Sequence, residues 1–363
     1  MRVGLVAEIK PGERRCALTP VGARELSEGG HEVLVQAGAG VGAGFEDIEY
    51  ERAGAQLVSD ASTVWAQAEL LLKVKEPIAA EYGQLRAGQV LFTYLHLAAD
   101  RPLTDALLQS GTTALAYETI TDLDGRLPLL APMSEVAGRL AAQAAAYFMQ
   151  DPFGGRGLLM GGVPGVAPAR VTILGGGVVG TQSAKVACGM GADVTILDRS
   201  LPRLRELDDL FNGRVRVVMS SAAQIEAELQ RSDVVIGAVL VPGVAAPQLV
   251  TREMLTLLPP RAVLVDVAID QGGCFATSRP TTHAEPTFDV DGIVHYCVAN
   301  MPGAVPRTST LALTNATLPY IRRIAEFGLD ELIAADPGVG LGVNVRDGRL
   351  VYEPLVAAMM PAA

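Results

Sequence analysis

Aromatic residues make up only 5% of the 363 positions, with a single tryptophan, and cysteine occurs four times (Cys16, Cys188, Cys274, Cys297) without a CxxC pair. That scatter excludes a disulfide framework or a zinc ribbon and fits a reducing cytosol. Positive charge is also short, with 29 basic against 40 acidic residues and a formal charge of −11. A field of that sign repels nucleic acid and anionic membranes, so neither is expected as a partner. The longest uncharged run, Val234 to Thr251, is interrupted by Pro242, Gly243 and Pro247 and reads as a buried strand plus loop, not a membrane span. No basic segment followed by an apolar one suggests a secretion signal, and no GxSxG elbow suggests a serine hydrolase. His31, His283 and His295 lack metal-ligand spacing, so no metal is expected. A cytoplasmic, soluble α/β protein is expected.

What is present is a repeated alternation. Short apolar runs at Val3–Val6, Glu32–Val35, Leu70–Val74, Val90–Leu95 and Thr113–Tyr117 read as strands, and Pro20–Glu28, Ser62–Ala68 and Pro102–Gln109 between them as helices. A second series of strands comes at Val171–Leu174, Val194–Leu197, Val215–Val218, Val234–Gly237, Ala262–Val267 and Val294–Val298. Strands alternating with helices predict a parallel sheet covered on both faces. The chain therefore reads as two doubly wound, Rossmann-like domains joined by long helices, with the active site in the cleft between them. Met133–Gln150, with Ser134 and Glu135 suited to its start, and about Ser309 to Ala334 are the connecting helices. The expected domains are residues 1–128 with 307–363, and residues 129–306.

The strongest motif is the run from Val171 to Gly180, VTILGGGVVG. Gly175, Gly177 and Gly180 have GxGxxG spacing directly after a strand and before a helix beginning near Val178. The first glycine permits the turn, the second lets backbone approach a pyrophosphate, and the third lets helix pack on strand. Asp198 ends the next strand, 18 residues past Gly180. A carboxylate there accepts hydrogen bonds from ribose hydroxyls and repels a 2′-phosphate, which favours NAD over NADP, although the adjacent Arg199 softens the preference. The other glycine cluster, Gly38–Gly44, lacks this context and reads as loop.

In an open α/β sheet, ligands gather at the carboxyl ends of the strands. Arg15 lies in the loop after the first strand, Lys75 and His96 close LLLKVK and VLFTYLH, Asp270 closes VDVAID, and Asn300 comes at the end of YCVAN. This inventory suits an amino or keto acid oxidised beside a nicotinamide. An Arg grips a carboxylate through paired hydrogen bonds, and a Lys holds a carboxylate or polarises a carbonyl. A His passes protons near neutrality, and an Asp orients water or departing ammonia. Composition alone leaves Arg14 equal to Arg15 and Lys73 equal to Lys75. Asp266 reads as structural, as do His31 and His295.

The segments EIKPGERRCALTP, LLKVKEP, YLHLA, MSEVAGRLAAQ, GGRGLLMGGVPGV, ILGGGVVGTQSAKVACGMGADVTILD, VLVDVAIDQGGCF, SRPTTH and YCVANMPGAVPRTST together resemble the alanine dehydrogenase family, from the first residue to about position 345. The resemblance implies reversible oxidative deamination of L-alanine to pyruvate, ammonium and NADH. It implies that Arg15 and Lys75 bind substrate and that His96 and Asp270 are catalytic, with Asn300 beside the substrate. Cofactor contacts are implied at Ser134, Val178, Val179, Asp198, Arg203, Ser220, Val239, Leu240, Val267, Ala268, Ile269, Asp270, Arg279, Val298, Ala299, Asn300 and Met301, in addition to the three glycines, and a homohexamer is implied. Two other activities share the architecture. The nucleotide-binding subunit of a proton-translocating transhydrogenase needs no proton donor at YLHLA, where its relatives lack the His. A saccharopine-type dehydrogenase needs another cation for a second substrate carboxylate.

Overall fold

The computed structural model describes residues 1–239 and 246–359. Two compact units are formed, one from Met1–Met133 and Val305–Ala363, the other from Ser134–Ala304. Strands β1 (Arg2–Leu5), β2 (Glu32–Gln36), β3 (Gln56–Val58), β4 (Leu70–Leu72), β5 (Val90–Thr93) and β6 (Thr113–Ala116) open the first unit. The second holds β7 (Arg170–Leu174), β8 (Asp193–Asp198), β9 (Arg216–Met219), β10 (Val234–Gly237), β11 (Val263–Asp266), β12 (Thr287–Val290) and β13 (Ile293–Tyr296). The chain then returns to the first unit with β14 (Val343–Arg346) and β15 (Arg349–Leu350).

The first sheet runs β15-β14-β6-β5-β4-β1-β2-β3 and the second β12-β13-β11-β10-β7-β8-β9. β1 to β6 are mutually parallel, as are β7 to β11 and β13, while β12, β14 and β15 run antiparallel to their neighbours. In each unit the chain starts mid-sheet, steps outward through two strands, then crosses to the other side. Its direction reverses between β1 and β4, and between β7 and β10, and the loops leaving the carboxyl ends diverge there.

The strand sequences explain their burial. Leu70–Leu72, Val234–Gly237 and Val263–Asp266 are buried along their whole length, as parallel strands covered on both faces must be. In the second unit Ile173, Ile196, Ile236 and Val265 face a layer of small residues, Ala141, Ala142, Ala145, Ala184 and Ala187, on helices Ala131–Phe148 and Val178–Gly189. Their neighbours Leu174, Leu197, Val235 and Leu264 face Ile225, Leu229 and Phe275 on the other side. The alternation is the period-2 geometry of a strand.

Several local expectations change. The strand expected over Leu70–Val74 stops at Leu72, and the long helix expected over Ser309–Ala334 is split, Pro306–Phe327 and Leu329–Ala335, by Gly328 at φ 82°. A left-handed residue cannot continue an α-helix. The connecting helix begins at Ala131, so Ser134 lies within its first turns and does not cap it. Among the described residues no helix is long and apolar enough to cross a membrane. Truncating Ile236, fully buried at the centre of the second sheet, to alanine should cost about 3 kcal/mol, read as a lowered midpoint in urea unfolding.

Candidate active site

In the first unit, the loop from β1 carries Glu8, Glu13 and Arg15. Arg15 is buried, and its Nε donates to Glu13 Oε1 at 2.7 Å while Nη2 bonds Glu13 Oε2, a bidentate pair. Nη1 reaches Met133 Sδ at 3.0 Å. Glu13 Oε1 also accepts the backbone amides of Arg14 and Arg15, at 3.1 and 3.0 Å. Burial pulls the Arg15 pKa down, but Glu13 more than offsets it and holds the guanidinium charged, with smaller contributions from Tyr94 and Glu8. Arg14 is exposed.

The two lysines part company just past β4. Lys73 is buried with its ammonium 2.8 Å from Glu81 and 3.2 Å from Glu8, so its charge is consumed inside the unit. Lys75 is partly exposed and forms no ion pair within 4.0 Å among the described residues. Glu8 Oε1 meanwhile accepts the amides of Val74 (2.6 Å) and Lys75 (3.4 Å), so one carboxylate both neutralises Lys73 and shapes the turn that displays Lys75. Burial pushes the Glu8 carboxyl up against the pull of Lys73.

His96 stands beyond β5 in the left-handed region, φ 50° and ψ 38°, with its side chain 47% exposed. Its ring stacks on that of Tyr94 at a centroid distance of 5.9 Å. Tyr94 is itself fixed by a 2.6 Å bond from its hydroxyl to the Leu129 carbonyl and by an edge contact with Tyr117. Glu118, just after β6, accepts the amides of Leu95 and His96. Arg15 and His96 thus share Tyr94 as a neighbour, and Arg15 and Lys75 share Glu8.

In the second unit the three motif glycines each have a geometric reason. Gly175 has φ 103°, and a Cβ there would lie 2.7 Å from the Ala238 carbonyl and 3.0 Å from Val239 Cγ2. A Cβ on Gly180 would fall 1.9 Å from the Gly175 carbonyl, whereas one on Gly177 would meet nothing within 4 Å. The helix starting at Val178 has no side-chain cap, so no capping side chain takes up its first amides beside that open space. The donor set fits a pyrophosphate. Val178 is exposed and Val179 partly so. Asp198 Oδ2 accepts the Gly176 amide at 2.7 Å and Oδ1 the Ser200 amide at 2.8 Å, and its carbonyl accepts the Ser220 amide. Arg203 donates to the Gly176 carbonyl (2.7 Å) and Thr181 Oγ1 (2.8 Å), bracing the loop from behind. Ser134 lies one helical turn from Gly138, whose carbonyl accepts the Ser183 hydroxyl on the glycine-loop helix.

Asp270 is exposed on the short turn Ile269–Gln271 after β11. That turn hangs on the buried Asp266, whose carboxylate accepts the amides of Ala268 (3.1 Å), Cys274 (2.9 Å) and Phe275 (3.3 Å) and the hydroxyl of Ser278 (2.5 Å). Burial raises the Asp266 pKa against those bonds. Val267 donates to the Gly237 carbonyl, beside the exit of β10, and Ile269 is buried. Asn300 takes φ 56°, with its carbonyl 3.3 Å from His283 Nε2; Val298 and Met301 are buried and Ala299 partly exposed. Arg279 lies over the Phe288 ring at 4.2 Å. Leu240 lies outside the described residues. His295 is buried between Thr277 and the Ile293 carbonyl, a structural role. Sequence reasoning did not single out Glu8, Glu13 or Glu118, each an ordinary acid in the letters.

The family description "Alanine dehydrogenase/PNT, N-terminal domain" matches residues 4–137 and "Alanine dehydrogenase/PNT, C-terminal domain" residues 141–353. An alanine dehydrogenase of Halomonas elongata is 60% identical over 99% of this chain and 96% of its own. A solved L-alanine dehydrogenase superimposes with a TM-score of 0.95 at 49% identity, covering 99% of both chains. A transhydrogenase from Sinorhizobium meliloti superimposes with a TM-score of 0.84 at 26% identity, covering 97% of this chain and 100% of its own.

Replacing Lys73 with methionine strands Glu8 and Glu81 in the interior and should cost roughly 3–5 kcal/mol, whereas Lys75→Met should leave the melting temperature nearly unchanged; paired thermal melts check this. Gly180→Ala should weaken nicotinamide-nucleotide binding at least tenfold by displacing the glycine loop. Gly177→Ala should melt normally yet still weaken binding, because its methyl enters the space left for phosphate; NADH fluorescence titration separates the two.

Proposed function

Because the chain belongs to the alanine dehydrogenase/PNT family, we propose that it catalyses the reversible, NAD-dependent oxidative deamination of L-alanine to pyruvate and ammonium. The observation that carries this reading is full-length similarity to alanine dehydrogenases, joined to a half-exposed imidazole held at the end of β5. The first unit supplies Arg15, Lys75 and His96 as the substrate unit, and the second supplies Asp270, Asn300 and the nucleotide loop. The open space over Gly177 and the uncapped helix behind it support a dinucleotide there. Asp198 favours an unphosphorylated ribose.

In this mechanism the Lys75 ammonium, which has no ion-pair partner within 4.0 Å among the described residues, meets the substrate carboxylate or carbonyl oxygen, and Arg15, fixed by Glu13, adds oriented N–H groups. A dinucleotide held by the glycine loop and the open helix start at Val178 would supply the hydride acceptor for the alanine Cα. The alanine amine reacts neutral, its ammonium proton lost to solvent; His96 takes the proton from the water that adds to the resulting iminium carbon and returns it to the nitrogen, and the hydroxyl proton leaves to solvent as ammonia departs. Asp270 orients that water and stabilises the iminium charge. In the reverse direction His96 protonates the pyruvate oxygen.

The transhydrogenase reading is not favoured, since that match is the more distant and His96 would have no proton to move. A saccharopine-type substrate would bring a second carboxylate, yet Arg15 and Lys73 are already paired with Glu13, Glu8 and Glu81. The four cysteines are free thiols, which supports a cytoplasmic location, and the family resemblance supports a homohexamer, testable by light scattering.

The direct test is NADH absorbance at alkaline pH with a panel of amino acids, L-alanine being expected to give the strongest signal. NADH binding without turnover of alanine would overturn the proposal. His96→Ala and Asp270→Ala should each lower kcat by about 10³-fold with NADH affinity within twofold of wild type. Lys75→Ala should raise KM for pyruvate and lower kcat together, and Asp198→Ala should narrow the preference for NAD over NADP.

A further inference from the structure

A residue that the sequence did not mark stands directly behind the imidazole. β5 ends at Thr93, and the amides of Leu95 and His96 have no backbone acceptor among the described residues. Both point instead at one oxygen of Glu118, Oε1, at 3.0 and 2.7 Å, with Oε2 3.3 Å from the Leu95 amide. Two successive N–H groups converging on one anion form the concavity that backbone makes beside a left-handed residue, and His96 is that residue, at φ 50°. A non-glycine side chain adopts this conformation uncommonly and keeps it only where its surroundings enforce it. The same Oε1 lies 3.8 Å from His96 Nδ1. This is too long for a hydrogen bond, but close enough for a negative charge to act on the ring.

We propose that Glu118 is the positioning residue of His96. Its carboxylate holds the 95–96 backbone in the left-handed turn that projects the imidazole. Its charge beside Nδ1 favours the tautomer protonated there, which leaves Nε2 as the nitrogen presented to substrate. The Tyr94 ring, parallel to the imidazole within 2°, limits the remaining rotation. Glu118 touches neither substrate nor cofactor in this account and acts only through His96. The inference rests on the proposed function for its catalytic meaning, but not for its effect on the ring.

Two measurements test it. The first needs no substrate: carbethoxylation of His96 by diethyl pyrocarbonate at pH 8, above the ordinary imidazole range, followed by peptide mass spectrometry. Glu118→Gln and Glu118→Ala should slow modification at least threefold, because Nε2 is less often the unprotonated nitrogen; an unchanged rate in both overturns the proposal. The second is a double-mutant cycle on L-alanine oxidation. Glu118→Ala should lower kcat about 100-fold with KM for alanine and Kd for NADH within threefold, and Glu118→Gln, which keeps an acceptor for the amides, should recover about tenfold of that. In a His96→Ala background neither change should lower the residual rate more than twofold. Equal losses in both backgrounds would mean a merely structural role and overturn it. Should Glu118→Ala fail to fold, the Gln variant completes both tests. If wild type fails to oxidise alanine while the modification rates shift as expected, the proposed function falls and the positioning role stands.

Discussion

The loops that leave the carboxyl ends of these parallel strands are held by carboxylates that accept backbone amides. A strand's ladder ends abruptly, and the next few N–H groups have no sheet partner. Leaving one buried and unpaired costs roughly 1–3 kcal/mol. Among the acids that do so, Glu13 binds the amides of residues 14 and 15, Glu8 those of 74 and 75, Glu118 those of 95 and 96, Asp198 those of 176 and 200, and Asp266 those of 268, 274 and 275. Each clamped segment carries or adjoins a candidate site residue. A carboxylate suits the task because its two oxygens offer several acceptor sites, and bonds to an ionised acceptor are the stronger kind.

The arrangement separates the groups we propose to react from the groups that hold them. The side chains of Glu8, Glu13 and Asp266 are buried, while Lys75, His96 and Asp270 are partly or largely exposed. Burial raises the carboxyl pKa of Glu8 and Asp266, and their amide bonds counter that rise by stabilising the ionised form. The same logic sorts the cations. Lys73 and Arg15 answer buried carboxylates, whereas Lys75, two residues on, forms no ion pair within 4.0 Å among the described residues and acts only at longer range on Glu76.

Legible and hidden features of this chain divide along one physical line, between local and long-range causes. The apolar runs at Val3–Val6, Val171–Leu174 and Val234–Gly237 announce central strands, because a strand covered on both faces must be apolar throughout. The glycine loop is legible because its spacing answers local sterics, as the 1.9 Å approach at Gly180 makes plain. The edge strands Gln56–Val58, Thr287–Val290 and Arg349–Leu350 are not legible: short and largely half-solvated, they carry no apolar run, and their neighbour Val343–Arg346, though mostly buried, is broken by the polar Asn344. Nor does periodicity tell Lys73 from Lys75. An extended strand would place both on one face, and what distinguishes them, the pairing of the Lys73 ammonium with Glu8 and Glu81, involves a carboxylate 65 residues earlier in the sequence. Glu118 is hidden for the same reason, since the partners it holds are 22 and 23 residues away.

The two units share a strand order, so the difference in their proposed roles must lie in the segment just after the first strand of each. In the second, β7 passes through three glycines straight into the helix Val178–Gly189, whose N-cap is Gly177 with no side chain to satisfy the first amides. A helix start left open in this way offers donors and a positive dipole end to an anion. In the first, a long loop intervenes before the helix Pro20–Glu28. That helix is closed at its start: Pro20 has no N–H, and the Thr19 hydroxyl already accepts the Gly22 amide at 3.2 Å. With the dipole end occupied, the anion recognition we propose for this unit falls to side chains carried by the loops, with Lys75 supplying the charge and Arg15, already answered by Glu13, only N–H groups. One architecture thus yields a backbone site suited to a pyrophosphate and a side-chain site suited to a small carboxylate. The switch between them is whether the first helix is capped by its own sequence or left for a ligand to cap.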